Sequence, residues 1–340
     1  MPGLRGMQVF RLLHASDLHF AQIPGQVGVP VLLQNPYWWW AGIPGTPAMA
    51  SSHNLDRVDA LAAFAFYKRQ RFDAILVTGD LATTGKADDL SAAYDFIASP
   101  AVKGYLNAAG RPTLQAAGRP VYLLPGNHDR FGAFYLPGGA EFDRVFASAW
   151  PVGQGVHVWP PLVSQSEGET LVLVGVDFTL SAADAGRGFL GYLGQGSTTH
   201  LVDALVQATE GVHRHHPGCT ILWALHFEPG TRQFLHELLD EGDLEQAIQQ
   251  KLAPAKGRAK PAVAAILCGH THRQRLSTFG GIPVHVCGTT TQHLPVQGTP
   301  PFKENSLQVI EITLDPDPKK TAAVSVRPYR YTSTLRGFTP

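Results

Sequence analysis

Residues 121–129 read Val-Tyr-Leu-Leu-Pro-Gly-Asn-His-Asp: an apolar run, a Pro-Gly break, then an amide, an imidazole and a carboxylate in succession. The run has the length and composition of a short buried strand, so the polar side chains fall where a strand gives way to a loop. The same arrangement recurs four times. Val9 to Leu13 leads to Asp17-Leu18-His19, and Ala74 to Val77 leads to Gly79-Asp80. Ile221 to Leu225 leads to His226, and Ala262 to Leu267 leads to Gly269-His270-Thr271-His272. Open α/β sheets gather their ligands outside the carboxyl ends of the strands, so these strand ends predict one shared site.

Asp17 and His19 are two residues apart, as are His270 and His272. At the end of an extended segment each pair can point to one side. Asp17, His19, Asp80, Asn127, His226, His270 and His272 are together what two transition-metal ions sharing one carboxylate need, with His128 left over for acid catalysis. Carboxylate, imidazole and amide oxygen suit divalent ions such as Mn, Fe, Zn or Co, and no Cys lies in the set. Two such ions about 3.5 to 4 Å apart lower the pKa of a bridging water and clamp phosphoryl oxygens, so hydroxide is expected to attack phosphorus in line. The departing alkoxide needs a proton, and His128 is the candidate donor. Asp129 is expected to hold the His128 ring and favour its charged form, and Gly79 and Gly126 to allow tight turns beside the ions. Taken singly, each His or Asp could be a hydrogen-bonded structural residue. Taken jointly, metal-competent side chains at strand ends have no shared structural reason.

The order D-x-H, G-D, G-N-H-D, H, G-H-x-H, from Asp17 to His272, resembles the calcineurin-like metallophosphoesterase superfamily. The resemblance implies a four-layer α/β/β/α sandwich with two mixed β-sheets. It implies that Asp17, His19, Asp80 and His272 hold one metal, that Asp80, Asn127, His226 and His270 hold the other, and that Asp80 bridges them. Relatives commonly place a second His or a Pro after the fourth motif, so Phe227 and Glu228 are departures. Thr78 to Gly85 and Gly269 to Arg273 are similar to the class III cyclic nucleotide phosphodiesterase branch and its glycerophosphodiesterase relatives. The expected activity is therefore hydrolysis of small phosphodiesters. Phosphomonoesterase activity of broad specificity, DNA nuclease activity and a non-catalytic binding scaffold are the alternatives.

Composition agrees with such an enzyme. Of 340 residues, 44% are hydrophobic, enough for a sizeable core, and 27 Lys and Arg balance 27 Asp and Glu. Without a basic run, attraction to nucleic acid or to an anionic membrane is not encoded globally. Metal ligands scattered from 17 to 272 make one domain over 1–340 the economical reading, with a motif core at 8–290, an insertion at 20–53 and C-terminal strands at 282–332. Cys219, Cys268 and Cys287 lack C-x-x-C spacing and read as reduced, buried thiols. No apolar run approaches about 18 residues and no secretory signal is visible, so a cytoplasmic location is expected, with homo-oligomerisation left open.

Asn54 is placed to cap a helix over Leu55–Arg69 with Leu55, Val58, Leu61, Ala62 and Ala65 on one face. Helices are also expected through Tyr94, from Ser197 to about His213, and over Thr231–Leu239 and Leu244–Leu252. Short strands are expected at Val284–Cys287, Leu307–Ile312 and Ala323–Arg327. His213, His215 and His216 read as a solvated helix end. The Pro- and Gly-rich stretch from Phe20 to His53 carries Tyr37-Trp38-Trp39-Trp40, aromatics suited to packing on the body, to a subunit contact, to a lid that stacks a base or, without a basic face in support, to membrane contact.

Overall fold

The computed structural model describes residues 7–21, 53–133, 136–137, 139–163, 170–179, 196–231, 237–252, 261–292, 305–315 and 320–340. The expectations for Trp38, Trp39, Trp40 and most of the 20–53 insertion lie outside these residues.

Every apolar run that precedes a polar motif is a strand. In chain order the main strands are β1 (Gln8–Ala15), β2 (Ala74–Thr78), β3 (Val121–Leu124), β4 (Val156–Val158), β5 (Leu171–Val176) and β6 (Thr220–Leu225). They continue with β7 (Ala265–Cys268), β8 (Arg275–Phe279), β9 (Ile282–Val286), β10 (Ser306–Leu314), β11 (Ala323–Thr332) and β12 (Gly337–Thr339). They form two six-stranded sheets, ordered β12-β11-β10-β1-β2-β3 and β8-β9-β7-β6-β5-β4. In the first sheet β1, β2 and β3 run parallel, with Leu12 opposite Ala74 and Ile75 opposite Val121, while β10 pairs antiparallel with β1. In the second, β5, β6, β7 and β9 run parallel, and β4 and β8 pair antiparallel at the edges.

Among the described residues the α-helices are α1 (Leu55–Tyr67), α2 (Ala87–Ala98), α3 (Asn127–Arg130), α4 (Ala140–Val145), α5 (Val202–His215) and α6 (Glu241–Ala247). Period-2 alternation sorts the second sheet between two cores. Leu171, Leu173, Leu222, Ala224, Ala265 and Leu267 join β1, β2, α1 and α2 in one cluster. Their chain neighbours Val172, Val174, Ile221, Trp223, Ile266 and Cys268 pack with Leu205, Val206 and Val212 of α5 and Leu244 and Ala247 of α6 in the other. A strand buried on both faces has no polar alternation to display, which is why β5, Leu-Val-Leu-Val-Gly-Val, is apolar throughout.

Local signals set the helix ends. The Asn54 side chain accepts the Arg57 amide at the start of α1, and Val58, Leu61, Ala62 and Ala65 are buried, although Leu55 is 60% exposed. The helix expected from Ser197 starts at Val202 instead. Gly196–Ser197 pairs in parallel with Leu238–Leu239, so Leu238 and Leu239 also depart from the helix expected over 231–239. Backbone pairing outweighs propensity at both places. His213 lies against the Ala262 carbonyl at 2.9 Å and His215 against that of Gly211 at 2.8 Å. All three cysteines are free and buried. Among the described residues no helix is long and apolar enough to cross a membrane.

One buried polar contact locks α5 to the second sheet. The Trp223 indole donates to the Thr209 hydroxyl at 3.0 Å, and that hydroxyl donates to the Leu205 carbonyl at 2.8 Å. Thr209→Val keeps the side-chain shape and leaves a buried indole N–H without its acceptor. It should cost about 1–3 kcal/mol in urea unfolding, and Thr209→Ser should recover most of that loss.

Candidate metal centre

The polar motifs do not extend their strands. Beyond β1, β2 and β7 the chain enters left-handed turns: φ is 54° at Asp17, 54° at His19, 48° at Asp80, 69° at His270 and 56° at His272. The convergence of each Asp-x-His and His-x-His pair therefore comes from two left-handed residues flanking one other, and extended alternation is not its cause. For side chains with a Cβ such conformations cost about 1–3 kcal/mol each and persist only where surrounding contacts over-determine them. Gly79, at φ 84°, also packs where a Cβ would lie 2.5 Å from His226 Nδ1. A Cβ on Gly126 would collide with the Asp80 carboxylate, so its role is close approach without a left-handed turn.

The turns bring the seven residues together from both sheets. Asp17, His19, Asp80 and His272 form one group able to hold a metal ion, and Asp80, His226 and His270 a second. Asn127 joins the second group, its Oδ1 lying 3.1 Å from His226 Nε2. Asp80 belongs to both: one carboxylate oxygen accepts the His128 amide at 2.9 Å, and the other lies 3.4 Å from His226 Nε2 and 3.8 Å from His19 Nε2. Asp17 ties the sheets together, accepting the His270 amide at 3.0 Å on Oδ2 and meeting His272 Nε2 at 3.1 Å with Oδ1.

The chemistry of this donor set fits divalent cations. His226 Nδ1 sits 2.8 Å from the Thr78 carbonyl, which makes Nδ1 the protonated nitrogen and leaves a lone pair on Nε2. That lone pair faces Asn127 Oδ1, Asp80 Oδ2 and, at 3.1 Å, His270 Nδ1. His19 Nε2 and His272 Nε2 approach to 3.4 Å, while buried His19 Nδ1 has no hydrogen-bond partner among the described residues. Lone pairs aimed at one another in a dry pocket call for positive charge between them. Burial opposes charge on His226, yet in the metal-free protein Asp80 outweighs it and lifts the imidazole to about 9, so a proton occupies the Nε2 lone pair until a cation takes it over. Burial raises Asp80, but His226 and His128 hold it well below the usual carboxylate range. At His19 burial prevails over Asp80 and lowers the ring to about 3, the neutral form a ligand needs.

His128 and Asp129 do not form the expected pair. His128 Nδ1 meets the Thr83 carbonyl at 2.9 Å, and its ring lies edge-on to His19 with centroids 5.1 Å apart. The Asp129 carboxylate instead accepts backbone N–H groups of Leu81 at 3.1 Å, Ala82 at 2.8 Å and Gly126 at 2.8 Å, so it fastens the turn after Asp80 to the turn before Asn127. Burial, with Asp80 adding to it, pushes this carboxyl up to about 7, opposed by the three amides. A cation beside Asp80 would cancel part of that push. Glu228, a departure in the sequence, is buried two residues after His226. It accepts from the Thr271 hydroxyl at 3.0 Å and from the Arg275 guanidinium, and so holds the residue between His270 and His272. Neither Thr83 nor Glu228 announces its role in the sequence, because each partner lies more than forty positions away.

The model for calcineurin-like phosphoesterases matches residues 10–274. No curated protein matches the chain. Among solved structures, a dimetal phosphatase from Danio rerio superposes with a TM-score of 0.54 at 12% identity, over 93% of this chain and 98% of that one. GAP50, the anchor in the inner membrane complex of Plasmodium, gives 0.49 at 9% identity over 93% and 88%. A putative 5'-nucleotidase from Staphylococcus aureus gives 0.46 at 14% identity over 94% of this chain, which spans 54% of that protein. At 12% identity the first likeness is one of fold.

The contacts of Asp129 generate a stability prediction. Asp129→Asn puts one acceptor oxygen and an NH2 group where two oxygens now serve three amides, so at least one buried N–H loses its partner. The metal-free protein should lose about 1–3 kcal/mol in urea unfolding. A residue that only oriented the half-buried His128 ring would leave that value unchanged.

Proposed function

The chain belongs to the calcineurin-like phosphoesterase family, and from that premise we propose that it is a metal-dependent phosphodiesterase of small molecules, cleaving esters of the cyclic nucleotide or glycerophosphodiester type. The observation that carries the reading is the Asp80 carboxylate, common to two metal-competent groups, with the His128 imidazole beside it. Two divalent cations drawn from Mn, Fe, Zn and Co, held by Asp17, His19, Asp80 and His272 and by Asp80, Asn127, His226 and His270, would supply Lewis acidity to the phosphoryl oxygens and to the attacking water.

The chain's own groups account for the rest of the chemistry. The Thr83 carbonyl holds His128 by Nδ1, so the proton given to the departing alkoxide comes from Nε2. The His128 amide on Asp80 ties the backbone that carries the ring to the shared carboxylate. The preference for a diester rests on the likeness of Thr78 to Gly85 and Gly269 to Arg273 to the diesterase branch, since fold does not fix substrate. A formal net charge of zero favours a small substrate over nucleic acid. A release assay with Mn, Zn and Fe supplied separately tests this across cyclic nucleotides, glycerophosphodiesters, monoesters and single-stranded DNA. Faster turnover of a monoester than of its diester would make the enzyme a phosphatase, and turnover of none would make the centre a binding scaffold.

Two substitutions test the assigned roles. Asp80→Ala removes a ligand from both ions and should abolish turnover and deplete both equivalents, whereas His272→Ala should empty mainly one. Elemental analysis distinguishes them, and full metal content in the Asp80 variant would overturn the shared role. His128→Asn should keep both ions and lose about 10²- to 10⁴-fold in rate with alkyl leaving groups, with a much smaller loss for nitrophenyl esters. Equal losses would give His128 a different part.

A further inference from the structure

Past the last metal-competent residue the chain reads Gly288-Thr289-Thr290-Thr291, between β9 and β10. Three adjacent threonines in a loop suggest a solvated segment, yet all three are completely buried. Their partners are the residues that carry Asp17 and His19. The Thr289 hydroxyl donates to the Asp17 carbonyl at 2.9 Å, and the Thr291 hydroxyl donates to the Leu18 carbonyl. Thr290 bonds Ser16 in both directions: its amide donates to the Ser16 carbonyl at 2.9 Å, and its hydroxyl accepts the Ser16 amide at 3.1 Å. From the other side Thr83 donates to the His19 carbonyl at 2.6 Å, and the amides of Asp17 and His19 reach the Gly79 and Asp80 carbonyls at 3.1 and 2.9 Å.

These bonds fall where the backbone is strained. Register with β2 ends at Ala15 opposite Val77, and Asp17 and His19 are left-handed. A left-handed residue turns its carbonyl away from the ladder direction, and a buried carbonyl needs a donor wherever it points. Here the Asp17 and Leu18 carbonyls take side-chain hydroxyls, Ser16 takes the Thr290 amide, and His19 takes the Thr83 hydroxyl together with the His53 amide. Fixing the carbonyls of residues 16–19 fixes their peptide planes, and with them the directions of the Asp17 carboxylate and the His19 ring.

We infer that Thr289 and Thr291 are positioning residues that set the Asp17–His19 half of the centre through the peptide carbonyls of residues 17 and 18, an inference that rests on the two-cation reading above. In the other half the Thr78 carbonyl holds the His226 ring, and the His270 amide rests on the Asp17 carboxylate, so the threonines reach that half only at second hand. Losing the hydroxyls should therefore weaken the ion of the Asp17–His19 half more than the other.

The test uses the full chain, stripped by chelation and titrated calorimetrically with Mn(II) alone, with a thermal melt of the metal-free form beside each titration. Thr289→Val and Thr291→Val remove a donor while keeping shape. Each should weaken one of the two Mn(II) sites by about 10- to 100-fold and the other by clearly less, and Thr289→Ser and Thr291→Ser should restore binding. Parental affinity at both sites in both Val variants would overturn the inference, as would Ser variants no better than Val. Equal weakening of both sites, or loss of the metal-free melting transition in both Val variants, would assign the threonines a general structural role and overturn it too. The parent titration separates the two layers: if it takes up two ions and the variants match it, only the positioning role falls, whereas a parent that binds neither Mn(II) nor, on repetition, Fe(II), Zn(II) or Co(II) removes the two-cation reading as well.

Discussion

A carboxylate with no access to water constrains everything around it. Asp80 is 1% exposed, and an isolated ionised carboxylate at that depth is costly enough that it would ordinarily take up a proton. What keeps it charged is a ring of imidazoles and a backbone amide, and those groups come from three different strand ends. The left-handed turns, the close approach of Gly126 and the Asp129 clamp on residues 81–82 all serve to bring backbone within reach of this one group. The fold supplies the platform, and the electrostatics of Asp80 decide what must stand on it.

The same demand makes the centre the seam between the sheets. Asp17 follows a strand of the first sheet, yet it binds the amide and the ring of two residues that follow a strand of the second. Glu228 then stabilises the second-sheet side by linking the turn after β6 to the turn after β7 through Thr271 and Arg275. Each half of the molecule thus completes a turn that the other half needs.

How much of this the sequence displays depends on the range of the interaction. The strands before each motif and the cap at Asn54 are local, and residues 121–124 or 54–57 contain all the information needed to place them. The grouping of seven polar residues was legible because their residue types have so few joint explanations. The geometry of the turns was not, since an Asp-x-His pair converges equally well on paper whether its backbone is extended or left-handed. Asp129 was misassigned to its neighbour His128 because the amides it binds at Leu81 and Ala82 are far away in sequence. Gly196–Ser197 escaped for a similar reason: its partner, Leu238–Leu239, is an apolar pair that alone reads as helix. The threonines at 289–291 carry no chemical signature of a site at all.

β1 lies between β2 and β10. Its pairing with β2 draws on residues about sixty positions downstream, but the other edge waits for Ser306–Leu314. During synthesis, therefore, the strand that delivers Asp17 and His19 has one row of amide and carbonyl groups unpaired until residues 306–314 have emerged, at the ordinary rate of about 5–20 residues per second. An apolar strand with an open edge is a template for pairing with another chain. β10 is thus what closes this edge of the nascent protein to self-association, and a chain released before residue 306 carries the residues of the metal centre but lacks that protection.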